Sequence, residues 1–456
     1  MSAYSPTSNP LTGLAGLAAY WGKAPLTNDV TKAVRLATLD WFATMLPGAV
    51  RPPATFLAAS GLGGGSGNAI CYVTGQRIGA RNAAFINGTA SHTVEFDDIF
   101  RDGGFHPGSP TIAAALAVAQ HEGASREVFD RAVIAGYEAG CRLAMALQPS
   151  HYNYWHITGT AGTIGAAVAG AMVLGCDAAA IGNAIAISSS FAGGHMQNLQ
   201  GESMVKAMHP GHAADAGLLA AYAAYAGATG AQDALHGATG YAAATSDSTG
   251  NWEAAFEGAG DWTPITRMTV KIHGCCGHIF ASLDALEILR REHGFAASDI
   301  NTIHVEGYGP TKTICDRPNP KIAQEARFSA QYCLSALMVL GAVRLEAFES
   351  PALANQNIRA LMSRITVDCA DDLAEHYPRR RMARITVRLT DGREFKHFQR
   401  SRRGDPDNPI GETELIAKFE ELAGPVLPAG GAGALRDLIL SGEVLPGLLK
   451  TVPVGA

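Results

Sequence analysis

The chain has 456 residues, of which 47% are hydrophobic and 17% charged, a composition typical of a folded globular protein and not of a disordered one. This length exceeds one ordinary hydrophobic core, so we expect two domains. The formal net charge is −6, and the longest run of like charge is the three arginines at 379–381, which argues against a nucleic-acid partner.

The eight cysteines are scattered and form no C-x-x-C pair, which favours reduced thiols and a cytoplasmic location. Residues 1–10 are polar and lack the basic segment and apolar run of a signal peptide. The uncharged stretch 156–176 is long enough for a membrane span. It is rich in glycine and alanine and not in leucine, so we predict a buried, closely packed helix and no membrane.

Apolar residues in the first two-thirds of the chain recur with a helical period. Thr27 is predicted to cap a helix that carries Val30, Val34 and Trp41 on one face and ends at Pro47-Gly48. Runs rich in alanine and small residues predict further helices at 111–120, 161–174 and 213–226. Small residues at this density allow close approach of helix backbones, so we expect a tightly packed helical bundle.

The pattern changes near residue 265. Residues 301–307, 365–369 and 384–390 alternate like strands, and Asp391-Gly392 predicts a hairpin turn into a strand with Phe395 and His397. Residues 267–403 are therefore predicted to form a smaller α+β domain. The tail at 412–448 is again helical and is expected to pack on the first domain.

A cluster of carboxylates follows His92: Glu95, Asp97 and Asp98, with His106 after two glycines. Carboxylates this close repel one another. The cluster therefore binds a cation, lies in solvent, or raises one pKa to make a general acid or base. A solvated helix end with a capping Asp is the alternative interpretation.

Two further segments place polar groups beside apolar runs. His156 precedes the glycine-rich helix, where free N–H groups favour a neutral imidazole or an anion; the alternative is a hydrogen-bonded core histidine. Lys206 lies among apolar residues before Pro210-Gly211 and could bind a substrate carboxylate, or could be a surface lysine with a buried stem.

The segment from Lys271 to His278 holds two histidines and the adjacent Cys275 and Cys276. The four side chains are too crowded to be the ligands of one tetrahedral zinc ion, and their spacing matches no usual pattern. We therefore predict no metal here.

Together these segments resemble the MmgE/PrpD family, which includes 2-methylcitrate dehydratases, cis-aconitate decarboxylases and iminodisuccinate epimerases. Each segment is weak alone, but their order and spacing along nearly the whole chain are specific for the family. The matching segments are 87–92, 95–98, 106–108, 155–158, 206–214, 271–285, 308–309 and 328–333.

The resemblance implies a mostly α fold: a large all-helical domain formed by 1–266 with 404–456, and a smaller α+β lid domain at 267–403. It also implies a homodimer, a cleft between the domains, a small carboxylate substrate, and no metal or organic cofactor. Carried over position by position, it gives a catalytic set and a substrate-binding set. The catalytic set is Glu95, His106, His156 and Tyr332. The substrate-binding set is Lys206, Lys271, Cys276 and Ile99.

The chain departs from the family pattern at four positions. Glu95 stands where the family commonly has Asp, and Ile99 where decarboxylases and many dehydratases have Thr or Ser. Cys276 stands where family decarboxylases have His, and Phe280 where many members have His. The changes at 99, 276 and 280 remove hydrogen-bonding groups, which argues against a true cis-aconitate decarboxylase and for a different, less polar substrate.

Three functions follow from these residues. The first is a lyase that eliminates water or carbon dioxide from a small di- or tricarboxylate after proton abstraction next to a carboxylate. The second is an isomerase or epimerase of a small dicarboxylate that uses the same base. The third is a non-catalytic carboxylate-binding protein, against which the retention of two lysines and two histidines argues.

Overall fold

The computed structural model describes residues 8–199 and 203–447, and the protein is mostly α-helical with a four-stranded sheet in its C-terminal part. The N-terminal helices are α1 Pro10–Trp21, α2 Asn28–Ala49, α3 Ala54–Leu57, α4 Ala80–Thr93, α5 Gly108–Glu122, α6 Arg126–Leu147, α7 Ile157–Val173, α8 Ala178–Ser189, α9 Val205–Tyr225, α10 Tyr241–Thr245 and α11 Trp252–Phe256. A short hairpin of β1 Ala69–Cys71 and β2 Gln76–Ile78 precedes α4.

The C-terminal part alternates helices and strands before it returns to helices. Its helices are α12 Phe280–His293, α13 Gly309–Thr313, α14 Ala323–Ala326, α15 Ala330–Leu340, α16 Ser350–Leu353, α17 Gln356–Met362, α18 Asp371–Ala374, α19 Glu412–Ala423 and α20 Gly431–Ser441. Its strands are β3 Ile300–Gly307, β4 Ile365–Cys369, β5 Ala383–Leu389 and β6 Glu394–Gln399.

Helix α2 begins as predicted but continues past its predicted end. The Thr27 hydroxyl accepts the Val30 N–H at 3.3 Å, which caps the first turn. The expected end at Pro47-Gly48 is wrong, because the helix runs to Ala49. A proline in the last turn removes only its own N–H bond, and Gly48 lets α2 lie directly against the Ala90 carbonyl of α4.

The helical bundle is packed through small residues, as the composition predicted. Helix α7 contacts α6 on one side and α9 on the other. A Cβ added to Gly165 would lie 2.9 Å from the Gly136 carbonyl, and one added to Gly217 would lie 2.6 Å from the Thr163 carbonyl. The 156–176 stretch thus forms a buried bundle helix, and no helix in the described part of the chain has the length and apolarity needed to cross a membrane.

The four-stranded sheet has the order β4-β3-β5-β6. Strand β3 is parallel to β4 and antiparallel to β5, and β5 pairs antiparallel with β6 across the predicted Asp391-Gly392 turn, where Gly392 has a φ of 88°. Inward side chains of the sheet form one hydrophobic core with α12 and α15. The strands predicted at 301–307, 365–369 and 384–390 and the hairpin at Asp391-Gly392 are therefore confirmed.

The last two helices pack on α2, so the chain's C-terminal segment lies against its N-terminal helices. Residue 448 of the predicted tail lies outside the described residues, as do residues 1–7 of the segment interpreted as lacking a signal peptide. The domain boundaries at 266/267 and 403/404 stay a prediction, with which this packing agrees.

Candidate active site

A tight turn after α4 carries the first predicted site residue. Among the described residues, Glu95 is the one non-glycine residue with a positive φ, 59°. Each successive carbonyl of the turn accepts a bond from a cationic side chain. These bonds are Arg327 Nη1 to Val94 O at 2.8 Å, Lys271 Nζ to Glu95 O at 3.1 Å and Lys418 Nζ to Phe96 O at 2.8 Å. Cations from three later segments thus hold the strained turn in place.

The Glu95 carboxylate lies between two buried lysines. Lys206 Nζ donates to Oε1, and Lys271 Nζ lies 3.3 Å from Oε2. Burial alone would raise the pKa of Glu95, but the two ammonium charges outweigh it and hold this pKa well below its ordinary value. Glu95 is therefore ionised, and the two lysines already share one carboxylate.

Asp97 is the centre of a second set of bonds. Its Oδ2 lies 2.6 Å from His92 Nδ1 and accepts a bond from the Ser109 hydroxyl at 2.9 Å. On the other side of the His92 ring, Lys206 Nζ lies 2.8 Å from Nε2. Because an ammonium group can only donate, Nε2 must accept, so His92 carries its proton on Nδ1 and donates it to Asp97.

His106 reaches the same carboxylate from the loop before α5. Its Nδ1 lies 3.4 Å from Asp97 Oδ2, and its ring centre lies 5.0 Å from that of His92. Burial, helped by the Lys271 charge, lowers the pKa of His106 to about 4 although Asp97 opposes the change. His106 is therefore neutral at pH 7 and retains 13% exposure of its side chain.

His156 forms a pair with a histidine that the sequence interpretation did not include. It precedes α7, and its Nδ1 lies 2.9 Å from Nδ1 of His209 on α9. Burial and the nearby Lys206 charge lower the pKa of both rings, that of His209 to about 3. In a neutral pair one Nδ1 must donate and the other accept, so the two rings carry opposite tautomers.

A buried carboxylate behind the site positions the His106 loop. Asp98 Oδ1 accepts the Gly108 N–H at 3.0 Å, and Oδ2 accepts the Tyr137 hydroxyl at 2.7 Å. Burial, reinforced by the Asp40 and Asp97 charges, raises the pKa of Asp98 to about 7. The three carboxylates of the predicted cluster thus have separate environments, as mutual repulsion requires.

The fold brings together five of the predicted residues: Glu95, His106, His156, Lys206 and Lys271. Tyr332 does not join them. It lies in the hydrophobic core of the sheet region, and its hydroxyl donates to the Ala347 carbonyl at 2.5 Å. The Phe-Ser-Ala-Gln segment before Tyr332 is as compatible with a core helix as with a site. In the folded protein Tyr332 belongs to the core.

Cys276 and Ile99 border the cluster. A hydrogen bond from Cys315 and the nearby Lys271 charge lower the pKa of the Cys276 thiol to about 7 against the effect of burial. Ile99 exchanges both backbone hydrogen bonds with Thr269, at 2.9 and 2.8 Å, and so joins the Glu95 turn to the strand-like entry of the C-terminal part. Both residues are buried.

The chemistry of the donor set decides between acid–base and metal interpretations. The ligand atoms of His92, Asp97 and His106 lie within 4.8 Å of one another, which would allow a metal ion by distance. However, both His92 nitrogens are already bonded, and Lys271 Nζ lies 3.7 Å from Asp97. Two ammonium groups against these ligands repel a divalent cation, so the set fits proton transfer better than metal binding.

Comparison with known protein families gives matches in both halves of the chain. Residues 13–253 match the MmgE/PrpD N-terminal domain, and residues 273–441 match the MmgE/PrpD C-terminal domain. The two matches together cover most of the chain.

Curated relatives match over most of their length at low identity. A cis-aconitate decarboxylase-like protein of Aspergillus oryzae, oryM, is 26% identical over 91% of this chain and 90% of its own length. The cis-aconitate decarboxylase of Aspergillus terreus is 24% identical over 97% and 95%, respectively. That of Homo sapiens is 24% identical over 79% and 77%.

Proposed function

Because the chain belongs to the MmgE/PrpD family and is a lyase-type enzyme, we propose that it decarboxylates or dehydrates a small di- or tricarboxylate without a metal. The observation that carries this proposal is the buried set of neutral histidines around the Glu95, Lys206 and Lys271 ion pairs. Such a set can move protons at neutral pH while its ammonium groups stabilise developing negative charge.

His106 is the proposed general base. It is neutral, retains exposure to the site, and faces Asp97 through Nδ1, which leaves Nε2 free to accept a proton from carbon. Asp97 would stabilise the imidazolium that results, in the way that a carboxylate orients a catalytic histidine elsewhere. A positioned base of this kind contributes roughly 10²–10⁴-fold to the rate.

Lys206 and Lys271 are proposed to stabilise the charge that forms next to the substrate carboxylate. In a dehydration the C–H electron pair moves into a new double bond as hydroxide leaves and takes a proton from an acid. In a decarboxylation the C–C electron pair stays on the substrate carbon when carbon dioxide leaves, and that carbon then takes a proton. The His156–His209 pair, which holds two ring protons in a shielded position, is the proposed acid.

An epimerase would need a base and an acid on opposite faces of one carbon. His106 precedes α5 and His156 precedes α7, so two histidines do approach the cluster from different elements. The relatives' names favour the lyase. The epimerase is the competing outcome of the experiment below.

We further propose that the protein acts as a homodimer in the cytoplasm and has no nucleic-acid partner. The acidic net charge and reduced-thiol pattern support the last two points. Light scattering on the eluting chromatographic peak would give twice 47.5 kDa for the dimer.

Turnover of chelator-treated protein in deuterated water tests the proposed function. Methylcitrate, citrate, cis-aconitate and iminodisuccinate are supplied in turn, and the products are read by proton NMR. We expect elimination of water or carbon dioxide from at least one of them, with solvent deuterium in the product where a carbon is protonated. Deuterium uptake without elimination would favour the epimerase, and ligand-induced stabilisation without either reaction would favour a binding protein.

A further inference from the structure

A carboxylate substrate needs more positive charge than the acid–base cluster offers. The cluster contains two ammonium groups, on Lys206 and Lys271, and two ionised carboxylates, on Glu95 and Asp97. These four charges cancel. A substrate with two or three carboxylates therefore requires another cation close by.

Arg381 is such a cation. It is the last of the three consecutive arginines; the other two are exposed, whereas Arg381 is only 3% exposed. Its Nη2 donates to the Arg101 carbonyl at 2.9 Å, and its buried Nε makes no hydrogen bond to any residue between 8 and 447 that the structure describes. Within the same residues, no carboxylate lies at ion-pair distance from Arg381.

A neighbouring buried arginine shows what a structural guanidinium looks like in this protein. Arg402 is fully buried and is paired with Asp405 through Nε at 3.1 Å and Nη2 at 2.6 Å, and it also donates to the Gly277 carbonyl. Burial of an unpaired charge is costly. Arg381 lacks such a partner, so its partner is expected to arrive as a ligand.

The surroundings of Arg381 are phenolic and not acidic. Its guanidinium lies 5.7 Å from the Tyr377 ring centre, and Tyr377 stacks on Tyr308 at 5.1 Å. The Tyr308 hydroxyl lies 2.9 Å from His278 Nδ1, and the His278 ring lies 6.3 Å from that of Tyr152. The hydroxyls of Tyr152 and Tyr377 bond to no other residue in the described ranges, so two O–H donors accompany the free N–H.

This group adjoins the acid–base cluster. A Cβ placed on Gly104, two residues before His106, would lie 3.7 Å from Arg381 Nη2 and 3.8 Å from Tyr152. Burial and then the charges of Arg381 and Arg402 lower the pKa of His278, and the Lys271 charge adds to the effect. His278 is therefore close enough to respond to the charges of both Arg381 and Lys271.

We propose that Arg381, with the hydroxyls of Tyr152 and Tyr377, forms a subsite that binds a carboxylate of the substrate beside the acid–base cluster. Nε and Nη2 lie along one edge of the guanidinium, and such an edge matches the two oxygens of a carboxylate. The proposal rests on the proposed function and specifies it: the substrate carries a carboxylate remote from the reacting carbon.

Calorimetric titration with propane-1,2,3-tricarboxylate tests the subsite without requiring turnover. Wild type is compared with Arg381→Gln and with Arg380→Gln, an exposed arginine of equal charge one residue away. We expect Arg381→Gln to weaken binding on the order of 10–100-fold, because a charge-assisted bond is lost. The affinity of Arg380→Gln should stay within about twofold of wild type, because exposed charges are screened. Inorganic phosphate is the competing anion; equal affinity for phosphate and tricarboxylate would overturn the assignment to a substrate carboxylate.

Steady-state kinetics separate binding from loop positioning. With the substrate found for wild type, Arg381→Gln should raise KM with a small change in kcat, and Tyr152→Phe/Tyr377→Phe should raise KM less. If Arg381 only held the Arg101 carbonyl, its loss would displace the His106 loop, lower kcat and leave the KM unchanged; that result would overturn the proposal. Arg381→Lys, which keeps the charge, and the double Phe variant carry the test if Arg381→Gln does not fold.

The outcomes for the two proposals are distinguishable. If wild type neither binds the tricarboxylate nor turns over any substrate, the proposed function fails and the subsite fails with it. If wild type turns over a polycarboxylate and Arg381→Gln behaves as Arg380→Gln does, the subsite fails while the proposed function stands.

Discussion

Two buried lysines hold adjacent carbonyls of one turn, yet their charges are balanced differently. Lys271 donates to the Glu95 carbonyl and lies near the Glu95 and Asp97 carboxylates. Lys418 donates to the Phe96 carbonyl and, among the residues that the structure describes, forms an ion pair only with Asp40, at 2.6 Å. Burial lowers the pKa of both amines. For Lys271 the two carboxylates outweigh the effect of burial, so its pKa is raised. For Lys418 the Asp40 carboxylate does not outweigh the effect of burial, so its pKa is lowered.

The difference separates a chemical role from a structural one. Lys418 lies on α19 and ties the C-terminal helices to α2 behind the turn. Lys271 faces the histidine cluster and is held ionised there by the Glu95 and Asp97 carboxylates. Equal burial therefore does not imply equal function; the carboxylates within reach decide it.

Substitution of Lys271 should have the largest effect on catalysis. Lys271→Met leaves Glu95 with Lys206 and Asp97 with His92, so the fold retains partners for both carboxylates. We expect kcat/KM to fall on the order of 10²–10³-fold, since a preorganised positive charge is lost, with a limited decrease in melting temperature. Activity within threefold of wild type would show that Lys271, like Lys418, has a structural role only.

Substitution of Lys418 should have the largest effect on stability. Lys418→Met leaves Asp40 buried without a partner, which costs about 3–5 kcal/mol of unfolding free energy, measured by urea denaturation. The folded fraction should retain most of its kcat.

The double variant Lys418→Met/Asp40→Leu provides the matched control. It removes the unpaired charge, so stability should return toward wild type. Failure of the second substitution to restore stability would show that Lys418 acts through the Phe96 carbonyl and not through Asp40.

The pH dependence of stability separates buried neutral histidines from carboxylates. The pKa values of His106 and His151 are lowered to about 4, chiefly by burial, from about 6.5 in an unfolded chain. The unfolded state therefore binds more protons between pH 6.5 and 4, so this contribution is complete above pH 6.5 and is lost as the pH falls through that window.

His151 allows this sign to be tested away from the candidate site. Its nitrogens lie 2.9 Å from the Thr245 carbonyl and 2.8 Å from the Thr160 hydroxyl. When the pH falls from 7 to 5.5, the unfolding free energy of His151→Gln should decrease by about 1 kcal/mol less than that of wild type. An equal loss in both proteins would contradict the neutral assignment.

Ile99 should give the smallest effect. Ile99→Thr exchanges a buried methyl for a hydroxyl near the Glu95 turn, and its backbone bonds to Thr269 are unaffected. We expect a loss of roughly 1–3 kcal/mol in stability and a rise in activity on cis-aconitate relative to the best substrate. An unchanged substrate ratio would exclude Ile99 from specificity.

Local patterns predicted the fold well, because each signal depended on neighbouring residues. The Thr27 cap, strand Ile365–Cys369 and the Asp391-Gly392 hairpin were identified from such signals. The end of α2 was not predicted correctly, since it depends on how closely Gly48 approaches α4.

The site was predicted in part. Glu95, His106 and Lys206 were identified from their family pattern, whereas the His156–His209 contact joins residues 53 positions apart through the packing of α7 on α9. In the sequence, Arg381 stands out only as part of the arginine run at 379–381. Only the fold shows that one of three identical side chains is buried, and no local signal distinguishes it.

The most direct test of proton transfer by this cluster is turnover in deuterated water by chelator-treated wild type, His106→Ala and His376→Ala, the last an exposed histidine. We expect equal rates for wild type and His376→Ala, and a rate lower by about 10²–10⁴-fold for His106→Ala, at a similar melting temperature. A His106→Ala variant with near-wild-type activity, or a wild type silenced by the chelator and restored by a metal ion, would contradict this expectation.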